Sequence, residues 1–289
     1  MLSILLKLHL LAERVNKEGN FIQFGDIVDK VNVYNLDGKK KGLIDKPKIF
    51  DVKPRMDLIQ MASASAQSKN KQVQGRDKRA GLRNTAEGWG TGHGMSRAPR
   101  IKGSGFITAR QVGRVPFAKG GRRTHPIKTE KKIKKKINKR INKQSIVSAI
   151  SASGDKSWVQ KGGFIIENVP EIPLVVDDKI QTIKKTTKIY SILCNLGLKK
   201  DLIKIKKSRK IRSGKGKSRG RKYKKKKGIL IVIKDDYGII KSSRNIPGTS
   251  VVRVENLSIK TLTPGGTSGR LILWTQSAFN ELNNYEVLI

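Results

Sequence analysis

A chain of 289 residues with 63 Lys+Arg against 22 Asp+Glu has a formal charge of +41 and a pI near 10.6, so a polyanionic partner is expected. Counterion release makes nucleic acid the first candidate and an anionic membrane surface a distant second. A single cysteine, Cys194, and three histidines, His9, His93 and His125, exclude a disulfide framework or a Cys/His zinc site built within the chain.

The charge is concentrated. Residues 60–144 hold 23 Lys+Arg and three acids, Asp77, Glu87 and Glu130, and residues 199–227 hold 17 Lys+Arg and one acid, Asp201. The remainder, 23 Lys+Arg against 18 acids, is ordinary for a soluble domain. The expected organisation is an N-terminal extension (1–28), a globular domain (29–59 and 129–289), an extended loop (60–128) and a basic insertion within the domain (199–227).

In chain order, Leu2–Leu11 is apolar, but Lys7 and His9 interrupt it and Glu13-Arg14 follow where a signal peptide needs small residues. A short amphipathic helix or an upstream-start extension is expected there, and no run is long enough to span a membrane. Val31–Asn35 alternates as a strand does, and Asp37-Gly38 offers a tight turn before a second strand at Lys40–Ile44. After Pro54, Met56, Ile59, Ala62 and Ala66 recur at helical spacing and predict a helix over Arg55–Ser68.

Between Lys69 and Lys128 no period of 2 or 3.6 persists, glycines recur, and the large aromatics are Trp89, Phe106 and Phe117. Backbone ordering costs roughly 1–2 kcal/mol per residue, and the segment has no core to offset it. It stays disordered or RNA holds it. Ile133, Ile137 and Ile141 predict a helix from Thr129 to about Ser151, lysines facing phosphate. Beyond it, strands are expected at Ile172–Val176, Gly228–Ile233, Val251–Val254 and Arg270–Trp274. A helix is expected over Ile180–Leu196, ended by Gly197, and a last one capped by Thr275 and running through Leu282. The alternation predicts a three-layer α/β/α domain with a mainly parallel sheet.

Enzyme motifs fail on inspection. Ser213–Ser218 lacks the first glycine of a phosphate-binding loop, since Ile211 stands in its place, and Gly88–Gly94 lacks the third glycine of a dinucleotide fingerprint. His93 and His125 have no local nucleophile or orienting partner and read as structural or RNA-contacting. Asp177-Asp178 and Asp235-Asp236 follow apolar strands, where acids open loops or cap helices more often than they ligate Mg²⁺. No catalytic residue, metal or cofactor is expected.

Several segments resemble, in order, the archaeal and eukaryotic branch of the large-subunit ribosomal protein L-four family. They are Ala80–Arg83, Ala86–Gly90, Gly120–Pro126, Lys128–Lys131, Ile137–Lys139, Ser148–Ala152, Gly220–Tyr223, Leu262–Gly266 and Gly269–Leu271. The resemblance covers about Lys30–Leu282, leaves the first 28 residues outside, and has archaeal-type length. It implies a cytoplasmic ribosomal protein whose partners are large-subunit rRNA, neighbouring large-subunit proteins and, at the loop tip, the nascent peptide in the exit tunnel. Neither a membrane nor a second copy of the chain is implied.

The residues expected to bind RNA fall into groups. One limb carries Lys71, Arg76, Lys78, Arg79 and Arg83; the turn that the resemblance places near the tunnel carries Trp89, Gly90, Gly92, His93, Gly94, Arg97 and Arg100, and Lys102 follows it. Arg110, Arg114, Arg122, Arg123 and His125 lie on the returning limb, and Lys132 and Lys136 follow it. The second region offers Arg212, Lys215, Lys217, Arg219, Arg221 and Lys222. The alternative is a non-ribosomal protein that compacts RNA or DNA.

Overall fold

In the computed structural model, which describes residues 29–284, the chain divides into two units. The α/β unit takes the chain up to Ala64 and from Ile137 onward, and a loop unit takes Ser65–Lys136. The apolar opening Leu2–Leu11 lies outside the described residues.

The α/β unit is built on a six-stranded sheet. β1 (Lys30–Tyr34) and β2 (Lys40–Asp45) form an antiparallel hairpin, closed by a turn in which Gly38 N donates to Asn35 O at 3.0 Å. β3 (Leu174–Val176), β6 (Leu230–Ile233), β7 (Ser250–Arg253) and β8 (Ile272–Thr275) add in parallel, in the order β2-β1-β3-β8-β6-β7. Every residue of β3, β6 and β8 is buried, because helices cover both faces and each side chain finds an apolar neighbour.

On one face Leu174, Val176, Ile231 and Leu273 pack beneath α4 (Thr186–Asn195), α5 (Lys199–Lys207) and α6 (Ile239–Ser243), which contribute Ile189, Leu193, Leu202 and Ile239. From the other face Trp274 meets Phe50 and Phe279, each with ring centroids at 6.2 Å, and Phe50 stacks on Phe279 at 5.5 Å. Phe279 belongs to α8 (Gln276–Glu281). The same side holds α2 (Lys139–Ser153), where Ala149 and Ile150 are buried and Ser151 Oγ donates to Val52 O. Each such aliphatic side chain contributes about 1.5–3 kcal/mol by leaving water. α1 (Met56–Ser68), α3 (Lys156–Lys161) and α7 (Ile259–Leu262) complete the α-helices among the described residues, and the three-layer expectation holds.

Four local expectations are corrected. The helix expected from Thr129 begins only at Lys139, and Lys131–Asn138 is neither helix nor strand. Lys131/Lys135, Lys132/Lys136 and Lys136/Arg140 would be like-charge neighbours four apart on a helix, which is destabilising. An alternative partner exists: Lys135 N donates to Ser68 Oγ at 2.9 Å and Ser65 Oγ donates to Lys135 O at 2.7 Å. Ile180–Leu196 is not one helix, since a 3-10 turn over Asp178–Thr182 precedes α4. Gly197 does end it, at φ 81°, where a Cβ would stand 2.0 Å from Asn168 O.

Lys199–Lys207, read as the start of the basic insertion, is α5, with Leu202 and Ile205 buried under its lysines. Its apolar stripe is only two residues wide and charge obscures it. Finally, Thr275 stands at the N-cap of α8 without capping it; Asp178 Oδ1 accepts from Ser277 N at 2.9 Å instead.

Candidate nucleic-acid interface

The loop unit has no core of its own. Between Lys69 and Lys136 only Ala86 and Gly113 are buried. Three short stretches pair instead. Glu87 and Arg100 exchange backbone hydrogen bonds at 3.0 and 2.9 Å, Ile101 exchanges with Gln111 and Arg110, both at 3.0 Å, and Gly113 N donates to Pro99 O at 2.9 Å. At the neck the two limbs touch through glycine: a Cβ on Gly81, whose φ is +78°, would stand 2.4 Å from the carbonyl of Gly121. A larger residue at Gly81 would force the limbs apart.

The expected RNA-contacting side chains are displayed outward. Lys71, Arg76, Lys78, Arg79, Arg83, Arg97, Lys102, Arg110, Arg122, Arg123, His125, Lys132 and Lys136 are exposed, as are Gly90, Gly92, His93 and Gly94. Lys132 and Lys136 project from an irregular segment, not from a helix. Trp89 is half-buried, with the His93 ring edge-on at 5.7 Å and the Arg100 guanidinium 5.9 Å from its centroid. Two acids of the segment are already paired. Asp77 meets Arg83 at 2.5 Å, and the Lys102 ammonium against Glu87 holds that carboxyl below its usual range.

Arg100 and Arg114 differ from the rest. Arg114 Nη2 donates to Asn84 O at 2.7 Å and Arg100 Nη1 to Arg110 O at 3.1 Å, and the Nε of each is enclosed. Both brace the loop from within, a role that charge counting cannot distinguish from phosphate binding.

The second basic region, in the α/β unit, is a hairpin of β4 (Lys210–Ile211) and β5 (Tyr223–Lys224). Lys215, Lys217, Arg219, Arg221 and Lys222 are exposed, whereas half-buried Arg212 donates through Nε to Arg221 O at 3.2 Å. Sequence reasoning missed Arg209 and Tyr223: the guanidinium lies 4.1 Å from the ring centroid, a cation–π contact that stiffens the hairpin root. A tyrosine flanked by Lys222 and Lys224 was the available signal.

The carboxylates at the C-terminal ends of the strands serve the fold. Asp178 caps α8, Asp236 Oδ1 accepts from Gly238 N at 2.9 Å, and Asp177 pairs with Lys41 at 2.7 Å. Burial pushes the Asp177 carboxyl up, and the Lys41 ammonium together with the backbone N–H and charge of Lys179 outweighs this and leaves it below the usual carboxylate value. Among the described residues no group of three or more His, Cys, Asp or Glu is placed to hold a metal ion.

Residues 45–285 match the model of the Ribosomal protein L4/L1 family. The chain belongs to that family. It is a ribosomal protein and not an enzyme. Among curated relatives, the large ribosomal subunit protein uL4 of Methanococcus aeolicus is 41% identical over 255 residues, which is 88% of this chain and 98% of that protein. Its namesake in Methanocaldococcus jannaschii is 41% identical over 253 residues, again 88% and 98% of the two chains. That of Methanopyrus kandleri is 37% identical over 250 residues, 86% of this chain and 96% of its own. The family's matched span includes both basic segments and the α/β unit from Asp45 onward.

Proposed function

We propose that this chain is a structural constituent of the cytoplasmic large ribosomal subunit that binds large-subunit rRNA through two surfaces, the loop unit and the β4–β5 hairpin. The supporting observation is that Lys69–Lys136 displays its cations outward, Arg100 and Arg114 excepted, while burying only Ala86 and Gly113. A segment so arranged gains its order from a polyanion that follows its contour. The limbs near Lys69–Arg83 and Arg110–Arg123 run along phosphates, and the turn over Trp89–Arg100 approaches the wall of the exit tunnel and the nascent peptide. Assembly of the subunit depends on these contacts and on neighbouring subunit proteins.

Sedimentation tests this reading. Tagged protein from cells should travel with large subunits in a magnesium-containing sucrose gradient; protein that stays at the top of the gradient or follows bulk nucleic acid overturns it. The latter result would favour a general compacting role.

A further inference from the structure

Three exposed apolar side chains of the loop unit, set on two turns, have a role that charge does not account for. Ile107 is 93% exposed, Phe117 79% and Phe106 47%. They stand on well-built turns. Ala109 N donates to Phe106 O at 3.0 Å and Gln111 Nε2 to Ile107 O at 2.7 Å, and the Phe106 ring lies over Gly103, with Cε1 2.7 Å from where a Cβ would stand. Phe117 follows Pro116 in the turn Val115–Ala118, closed by Ala118 N donating to Val115 O at 3.2 Å. Gly121 backs this turn so closely that a Cβ there would stand 2.0 Å from Val115 O.

Arginines beside both turns adopt left-handed backbone, Arg110 at φ 60° and Arg114 at φ 62°. Such strain costs about 1–3 kcal/mol per residue and persists where the surroundings over-determine it. For Arg114 those surroundings include the three-residue turn closed by Val115 N donating to Gly113 O at 2.7 Å and the brace to Asn84 O. The apolar side chains are therefore positioned on built turns.

We infer that Phe117 and the Phe106–Ile107 pair are wedges that receive unpaired nucleobases of the bound RNA. The inference rests on the RNA-binding reading above and adds to it side chains that reasoning from charge leaves out. Phe117 stacks on a base face; Phe106 stacks on a second base, with Ile107 against its edge. The occupant is argued from charge. Each wedge is separate in sequence and is flanked by cations, Lys102 and Arg110 around the first, Arg114, Lys119 and Arg122 around the second. A partner protein would call for a contiguous apolar patch, whereas an unstacked base brings an apolar face attached to a phosphate.

The experiment is a titration of the full chain with a transcript of the large-subunit rRNA across a salt series. Phe117→Ala and the double variant Phe106→Ala/Ile107→Ala should each weaken binding roughly five- to a hundredfold at every salt concentration. The slope of log affinity against log salt should stay that of the native chain, because no phosphate contact is lost, while Lys119→Ala should lower it by about one. Phe117→Trp should restore binding. Phe117 is mostly exposed, so thermal unfolding of its variants should match the native chain. Native-like affinity for Phe117→Ala and for the double variant overturns the inference and assigns the wedges to a neighbouring protein. A native chain that does not bind the transcript overturns instead the reading on which the inference rests.

Discussion

In the α/β unit all residues of β3, β6 and β8 are buried, and aromatic and aliphatic side chains fill the space on both faces of the sheet. In the loop unit, 68 residues from Lys69 to Lys136 bury one alanine and one glycine, and order rests on backbone pairing, glycine contacts and a few arginine braces. Burial of a core is a local resource and makes the first unit self-sufficient. Backbone hydrogen bonds exposed to water contribute only about 0.5–1.5 kcal/mol each, so the second unit depends on what surrounds it. If the proposed RNA contacts form, one chain holds a part ordered by its own core and a part whose order is completed by a ligand.

The strongest way to break this comparison is to remove one side of it. Deleting Lys71–Lys119 should lower rRNA affinity on the order of a thousandfold or more while leaving the thermal midpoint of the α/β unit nearly unchanged. Loss of the cooperative transition would show that the loop contributes to the core.

Next in size is Arg270, a buried cation inside the self-sufficient unit. It donates to Gly228 O at 2.7 Å, Thr261 O at 2.6 Å and Ser250 Oγ at 2.5 Å, and burial pushes its guanidinium down to about 10, still charged at neutral pH. Arg270→Ala strands these acceptors and should cost about 3–5 kcal/mol in urea unfolding. A loss below about 1 kcal/mol would mean that water replaces the guanidinium.

The neck of the loop gives a smaller and opposite effect. Gly81→Ala places a methyl group against Gly121 in a left-handed backbone and should cost about 1–3 kcal/mol of loop geometry, read as a five- to hundredfold weaker rRNA complex at unchanged thermal midpoint.

The smallest effect concerns Asp177 and Lys41. A carboxyl held below its unfolded value stabilises the fold above that value, and the contribution fades as pH falls through the folded value. Lys41→Met should therefore cost about 0.2–1 kcal/mol at neutral pH and nothing in strong acid, as followed by urea midpoints across a pH series.

Much of the self-sufficient unit was legible in the sequence. Gly228–Ile233 and Arg270–Trp274 show as continuous apolar runs because parallel strands are covered on both sides, and observed strands fall within or beside these ranges. Legibility failed where charge and periodicity disagreed. Ile133, Ile137 and Ile141 have helical spacing, yet the lysines between them repel and the segment takes serine partners from α1 instead. In Lys199–Lys207 the same density of lysine concealed a real helix, because Leu198, Leu202 and Ile205 anchor it to the core.

At the interface, the identity of the cations was legible and their employment was not. Arg100 and Arg114 are spent on carbonyls of the loop itself, Arg212 on Arg221 O, and Arg209 on the Tyr223 ring. Phe106 and Phe117 read as evidence for a missing core; only geometry shows them set on rigid turns.

Amide hydrogen exchange of the full chain with and without large-subunit rRNA tests most directly whether the two units differ in what orders them. Amides of β3, β6 and β8 should be protected in both states, and those between Lys69 and Lys136 should exchange freely alone and become protected in the complex. Protection of Glu87, Arg100 and Gly113 in the free chain, or their continued free exchange in the complex, would contradict that account.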